Sequence, residues 1–111
     1  MFETYNDKIS FLSDAHESEL VKNNGLPSTN PTFWNQIDPY AFLSDITAPV
    51  EIQHGTADAS VPVELSDRLN EALQNAGKIV EYHMYPSDDH NIGKNVSRAF
   101  ERTIDFYRKN L

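Results

Sequence analysis

Residues 50–62 read VEIQHGTADASVP, and residues 79–91 read IVEYHMYPSDDHN. Each stretch begins with apolar and β-branched residues, and Gly55 closes this run in the first stretch and Pro86 in the second, which is typical of a short strand. The residues between them follow a helical pattern. Because a helical crossover can join parallel strands whereas a tight turn cannot, the pattern predicts two neighbouring parallel strands, 50–54 and 79–85.

The helical pattern between the strands covers residues 63–76. Its apolar residues recur every three or four positions and share one face: Leu65, Leu69, Ala72, Leu73 and Ala76. Gly77 follows directly and is the expected C-terminal cap. A last helix is predicted from about Lys94 to Lys109, with a buried stripe formed by Val96, Ala99, Phe100, Ile104 and Tyr107.

The first part of the chain has weaker signals. A mostly polar helix is predicted over residues 7–23, and Gly25 and Pro27 end it. Proline, serine, threonine and asparagine mark a loop over residues 27–39, with short helical turns at 32–37 and 39–43. We therefore interpret residues 1–47 as a helical and loop lead-in, and residues 48–111 as a strand-helix-strand-helix segment.

The predicted fold class is α/β, but two parallel strands do not make a stable sheet, because parallel sheets are normally larger and covered on both faces. Residues 48–111 are therefore expected to be the C-terminal part of a larger α/β domain. One edge of the 50–54 strand should be unpaired. An edge of this kind favours association with another chain, so a homo-oligomer is expected.

Two side chains in this segment point to chemistry. Asp58 lies four residues beyond the first strand, and His90 lies five residues beyond the second. In open parallel sheets the binding and catalytic groups lie beyond the carboxyl ends of the strands. The two residues are therefore expected to meet, as the acid and the base of a nucleophile–base–acid triad do. No Gly-x-Ser-x-Gly motif and no cysteine is present to complete that triad.

At these residues the chain resembles the C-terminal end of a serine α/β-hydrolase of the prolyl oligopeptidase type, most closely the acyl-aminoacyl-peptidase and dipeptidyl-peptidase-like branch. The resemblance rests on the segments ITAPV at 46–50, HGTADASVP at 54–62, VEY at 80–82, YP at 85–86 and DHN at 89–91. Asn30-Pro31 and Tyr40 extend the resemblance, which covers roughly residues 30–111.

The resemblance implies that Asp58 is the triad acid and His90 the triad base. It also implies that the nucleophilic serine and the oxyanion donors lie upstream, outside these 111 residues, and that the family's N-terminal β-propeller is missing. The expected reaction is hydrolysis of a peptide or an ester by the complete enzyme. This chain alone is expected to be inactive.

Simpler roles remain open for the same residues. Asp58 could only cap the turn before the helix, and His90 could be a solvated loop residue. The run Asp88-Asp89-His90 lacks the spacing of a metal site, so neither a metal nor a cofactor is expected. Trp34, with Phe33 and Tyr40, could line a pocket, but burial beneath the loop is the commoner fate of such residues.

The composition excludes several partners. Lys and Arg number 9 against 17 Asp and Glu, giving a net charge of −8, which argues against nucleic acid and anionic membranes. The chain has no cysteine, no apolar run that could span a membrane and no signal-peptide pattern at its start, so a cytoplasmic location is expected.

Three functional hypotheses remain from the sequence. The first is a hydrolase segment that supplies an acid and a base. The second is a non-catalytic binding or assembly module that retains the end of a hydrolase sheet. The third is an unrelated doubly wound domain, which should possess a complete sheet of its own.

Overall fold

The structure, a computed structural model, describes the backbone of residues 14–111 and the side chains of residues 19–111. The elements in chain order are α1 (Asp14–Asn24), α2 (Pro31–Asn35), a 3-10 helix (Pro39–Asp45), β1 (Val50–Gly55), α3 (Val63–Asn75), β2 (Val80–Tyr85) and α4 (Val96–Asn110). The chain divides into two compact units, Met1–Asp45 and Ile46–Leu111. The second unit has the predicted α/β order of strand, helix, strand and helix.

The first unit is organised around Trp34, whose side chain is fully buried. Its indole Nε1–H donates a hydrogen bond of 3.0 Å to the carbonyl oxygen of Gly25, the residue that follows α1. Asn30 caps α2 by accepting the Phe33 N–H, and Asp38 accepts the Tyr40 N–H at the start of the 3-10 helix. Trp34 is therefore a packing residue of this unit. Residues 7–13 of the predicted first helix lie outside the described residues.

In the second unit β1 and β2 are parallel and pair in register from Val50 opposite Val80 to Gly55 opposite Tyr85. Helix α3 connects them, as the crossover rule requires. Both strands therefore end at the same edge of the sheet. The loop 56–62 leaves β1 there, and the loop 86–95 leaves β2 beside it.

Helix α3 packs against the sheet through its apolar face, and Leu73 is its most buried residue. The helix ends at Asn75, close to the predicted residue 76, and Gly77 has a φ of +73°, in the left-handed region that glycine adopts without steric cost. The Lys78 N–H then reaches the Leu73 carbonyl and the Gly77 N–H reaches that of Gln74. This paired arrangement satisfies carbonyls that a helix end otherwise leaves without partners.

The predicted burial of the α4 stripe is wrong for the chain that the structure describes. Phe100 is 65% exposed and Tyr107 56%, and Val96 and Ile104 are also exposed. The reason is that α4 contacts the two described strands through a different face. The stripe does not make α4 a membrane helix, because no helix within residues 14–111 is both long and apolar enough to cross a membrane.

Candidate active site

Asp58 and His90 meet beyond the carboxyl ends of β1 and β2. The Nδ1 atom of His90 lies 2.8 Å from Oδ2 of Asp58. The acid is almost completely buried, with 4% of its side chain exposed, whereas the imidazole is 56% exposed. A buried carboxylate therefore holds one nitrogen of the ring, and the rest of the ring is open to approach from outside.

The second oxygen of Asp58 organises its own loop. Oδ1 accepts hydrogen bonds of 2.8 Å from the backbone N–H groups of Ser60 and Val61. This is the turn-capping role that aspartate often has in loops. The capping role and the pairing with His90 are therefore compatible, because each uses a different oxygen. The cap fixes the carboxylate plane and so directs Oδ2 toward the imidazole.

Asp58 is held as a carboxylate. Burial acts to raise its pKa, but the hydrogen bonds from the Val61 N–H, His90 and the Ser60 N–H, together with the charge of protonated His90, lower it to about 2. An ionised carboxylate can only accept, so Nδ1 of His90 must carry the proton in the neutral ring. The unprotonated nitrogen of that tautomer is then Nε2, the atom that a base needs.

His54, the last side chain of β1 before Gly55, contacts Asp58 and the loop that carries it. The ring is buried, with Nε2 2.8 Å from the Val61 carbonyl oxygen and Nδ1 2.6 Å from the Ser66 hydroxyl. Because a carbonyl can only accept, Nε2 donates and Nδ1 accepts from the serine. The same Nε2 lies 3.3 Å from Oδ2 of Asp58. His54 thus ties the acid loop to both the strand end and α3.

The loop that carries His90 is built around Asp88, which is fully buried. Its Oδ1 accepts the backbone N–H groups of Asp89 and Lys94, and its Oδ2 accepts the side-chain amide of Asn95. Burial acts to raise the pKa of Asp88, but these hydrogen bonds outweigh it and lower the pKa. The carboxylate of Asp88 is therefore fully used by hydrogen bonds within its own loop.

Backbone contacts hold the two loops together. The Ala57 N–H donates a 2.8 Å hydrogen bond to the Asp88 carbonyl, and the Ser87 N–H donates one of 2.8 Å to the Thr56 hydroxyl oxygen. Gly55 lies at the closest approach: a Cβ there would come within 2.3 Å of the Asp89 carbonyl oxygen and 2.4 Å of that of Asp88. The absence of a side chain at Gly55 therefore allows the His90 loop to reach the Asp58 loop.

The lowered pKa of Asp58 predicts a pH dependence of stability. A carboxylate whose folded pKa is below its unfolded value of about 3.9 stabilises the fold above that value, and this contribution is lost as the pH falls toward 2. We expect the urea midpoint of unfolding to fall as the pH is lowered from about 5 to 2. The slope of stability against pH should be smaller in Asp58→Asn, because up to about one proton fewer is taken up on unfolding. Urea titrations across this range test the difference.

The surface variant Glu71→Gln is the matched control for this measurement, because Glu71 is exposed on α3. It should retain the wild-type slope of stability against pH. An Asp58→Asn protein with the same slope as the wild type would show that Asp58 has similar partners in the folded and unfolded chains.

Sequence reasoning selected Asp58 and His90, and the structure brings these two together. It missed the contribution of Gly55, which was interpreted only as the end of a strand, and it missed Asp88 as the anchor of the loop. The buried contact between His54 and Asp58 was also missed. In the sequence, Asp88 is only an aspartate in a short loop, seven residues before Asn95. That spacing does not predict their hydrogen bond unless the fold is known.

Comparison with known proteins agrees with this architecture. A candidate carboxymethylenebutenolidase of Methylorubrum extorquens is 38% identical over 53 residues, which are 48% of this chain and 18% of that protein. A puromycin-hydrolyzing peptidase of Mycobacterium tuberculosis has a similar fold, with a TM-score of 0.64 and 21% identity over 96% of this chain and 17% of that one. The chain thus spans less than a fifth of the length of either relative.

The family model of the prolyl oligopeptidase family matches residues 6–111, which include all of the second unit, most of the first and every residue of the candidate site. This match covers far more than half of the chain. It agrees with the resemblance of the HGTAD and DHN segments, whereas the branch within the family stays a prediction. The chain belongs to the prolyl oligopeptidase family of peptidases.

Proposed function

We propose that this chain supplies the acid, Asp58, and the base, His90, of a serine hydrolase triad whose nucleophile lies outside these 111 residues. The observation that carries the proposal is the 2.8 Å contact between a buried, ionised carboxylate and the Nδ1 atom of an exposed imidazole. The substrate class is a peptide or an ester.

In the proposed reaction the serine hydroxyl attacks the carbonyl carbon of the substrate while Nε2 of His90 takes its proton. The imidazolium that forms is stabilised by the Asp58 carboxylate. It then returns the proton to the leaving amine or alcohol as the acyl-enzyme forms. Water repeats the sequence with His90 again as the base. His54 and the capped turn at Ser60 and Val61 keep the acid in position throughout.

The nucleophile is proposed to lie elsewhere because no Gly-x-Ser-x-Gly elbow occurs in the chain. A nucleophilic serine needs the strained strand-to-helix turn that exposes its hydroxyl. The chain also spans only 17–18% of the length of its relatives. On this proposal the 111 residues alone are inactive.

The side of the sheet where the missing part would join can be inferred from α4. Residues on a helix are about 100° apart around its axis. Arg102 lies over the Tyr85 ring and Lys109 pairs with Glu81, so these two face β2. Further around the helix, the Ala99 carbonyl and the Thr103 hydroxyl contact Gln53 of β1.

Continuing in the same direction around α4 leads to the exposed stripe of Val96, Tyr107, Phe100 and Ile104. The stripe therefore extends past β1, on the side where β1 has no paired strand among the described residues. A shallow groove of about 210 Å³ lies between Gln53, Ile92 and Phe100 there. A parallel strand added to β1 would fill this groove and cover the stripe. We infer that this strand belongs to the nucleophile-bearing part.

A second candidate function is a non-catalytic binding or assembly module, and the same open edge and exposed stripe favour it. In that case the occupant is another copy of the chain, because unpaired strand edges readily pair with each other. The net charge of −8 makes nucleic acid and anionic membranes poor partners for either function. The location is proposed to be cytoplasmic.

Labelling with a fluorophosphonate probe separates the two functions. The probe is applied to the 111-residue chain, to the longest natural polypeptide that contains it, and to a mixture of the chain with a nucleophile-bearing hydrolase segment. We expect labelling of the longer polypeptide and of the mixture, but not of the chain alone. Sedimentation of the chain alone measures its association in the same samples.

Each other outcome has a definite meaning. Labelling of the isolated chain would show that the nucleophile lies within it. A longer polypeptide that is folded but unlabelled would favour the non-catalytic module. A chain that sediments as a monomer at all concentrations would contradict association through the β1 edge.

A further inference from the structure

A second cluster of ionisable side chains lies on the sheet face beneath α4, away from the candidate active site. Glu51 of β1 stands opposite Glu81 of β2, and His83 follows two residues later on the same face. The Nε2 atom of His83 is 3.9 Å from Oε2 of Glu51 and 3.8 Å from Oε2 of Glu81. One ligand atom from each residue lies within 4.8 Å of the other two.

Glu51 is the unusual member of this cluster. Its side chain is only 10% exposed, and Oε2 is buried without a hydrogen-bond donor among the described residues. An ionised oxygen in this situation is costly unless a charge or a donor compensates it. Since Oε2 faces His83 and Glu81, the structure contains a buried carboxylate oxygen directed into a three-residue cluster.

Hydrogen bonds to the other oxygen fix this orientation. Oε1 of Glu51 accepts from Nε2 of Gln53 at 3.0 Å and from the Thr103 hydroxyl at 2.7 Å. Tyr85 in turn donates its hydroxyl proton to Oε1 of Gln53. Outer partners of this kind orient the carboxylates that bind metals. Here they restrict rotation of the Glu51 carboxylate.

The local charge also favours a bound cation. The cluster contains two carboxylates, and Lys109 pairs with Oε1 of Glu81 on the side away from His83. The carboxylate of Glu51 is thus left beside the imidazole of His83. A cation between the two Oε2 atoms and Nε2 would compensate the charge and satisfy the buried oxygen in a single step.

We propose that Glu51, Glu81 and His83 bind a divalent transition metal, of which zinc is the best match. Two carboxylates and an imidazole are a donor set that zinc accepts, and the imidazole disfavours magnesium and calcium. Zinc–ligand bonds of about 2.0–2.2 Å place ligand atoms roughly 3.4 Å apart in a tetrahedral site. The separations of 3.9 and 3.8 Å from Nε2 of His83 must therefore shorten by about 0.5 Å, which the partly exposed side chains of Glu81 and His83 allow. This proposal revises the sequence-based expectation of no metal.

The metal would join β1 to β2 and so stabilise the sheet, independently of the triad. The test is calorimetric titration of chelator-treated 111-residue protein with zinc chloride, followed by thermal unfolding with and without zinc. Cobalt provides a second readout, since a tetrahedral site gives it visible absorption. We expect one saturable zinc site, a raised melting temperature, and at least tenfold weaker binding in Glu51→Gln and in His83→Ala.

Two control variants locate the site. Glu71→Gln removes an exposed carboxylate outside the cluster, and His90→Ala removes the exposed imidazole that could bind zinc with Asp58. Both should retain zinc binding. Glu81→Gln serves as the deciding variant if circular dichroism shows that Glu51→Gln does not fold, and it should also bind at least tenfold more weakly.

The proposal is overturned if no saturable binding occurs up to millimolar zinc. It is equally overturned if zinc binding is unchanged both in His83→Ala and in a folded glutamate variant, Glu51→Gln or Glu81→Gln. Loss of zinc binding in His90→Ala would also overturn it. Magnesium binding as tight as zinc binding would contradict the assignment to a transition metal.

Discussion

On the proposed function, loss of His90 should reduce turnover by about four to six orders of magnitude, because the proposed serine then has no base. The measurement is kcat for a chromogenic ester or peptide substrate with His90→Ala, in the longer polypeptide or the reconstituted mixture. Labelling by the fluorophosphonate probe should fall in parallel, since it depends on the same activated hydroxyl.

Asp58→Asn should lower kcat by about 10⁴-fold for a different reason. The amide oxygen can still accept the N–H groups of Ser60 and Val61, so the turn is preserved. If the amide nitrogen then faces His90, Nδ1 must accept, and the ring proton moves to Nε2. That tautomer cannot take a proton from serine, so KM should change little while kcat falls.

The exposed variant Glu71→Gln should leave kcat within about twofold, since surface substitutions away from special features have small effects. A modest loss in Asp58→Asn, comparable to that of the control, would contradict the acid role of Asp58. If His90→Ala retained most of its kcat, the base would have to be a different residue.

Gly55→Ala is expected to damage the site without removing any catalytic group. Its Cβ would meet the backbone carbonyls of Asp88 and Asp89, which are not flexible side-chain ends. Overpacking of this kind typically costs about 1–3 kcal/mol, and here the strain falls on the loop that carries His90. We expect a lower urea midpoint and a kcat reduced by at least tenfold.

The matched control for this variant is Gly93→Ala, where the nearest heavy atom would be a side-chain oxygen of Asp89 at 3.5 Å. That distance is ordinary contact, so stability and kcat should stay close to those of the wild type. Equal effects of the two substitutions would show that the close approach at Gly55 does not position His90.

Local sequence patterns were sufficient to predict the elements of the second unit and the place of its loops. Alternating and helical periods depend on neighbours a few residues apart, so the strands beginning near Val50 and Val80 and the helix ending before Gly77 were predicted closely. The parallel order followed from the length of the crossover, and this order was enough to expect Asp58 and His90 at the same edge.

Which side chains touch depends on packing that those patterns do not contain. The register of β1 and β2 places Glu51 and Glu81 with His83, and the approach of two loops makes Gly55 and Asp88 decisive. The α4 stripe shows the same limit: periodicity identified an apolar face but could not say whether the described chain covers it. Contacts between residues distant in sequence depend on how the elements pack. Local periodicity depends only on residues a few positions apart, so it does not predict that packing.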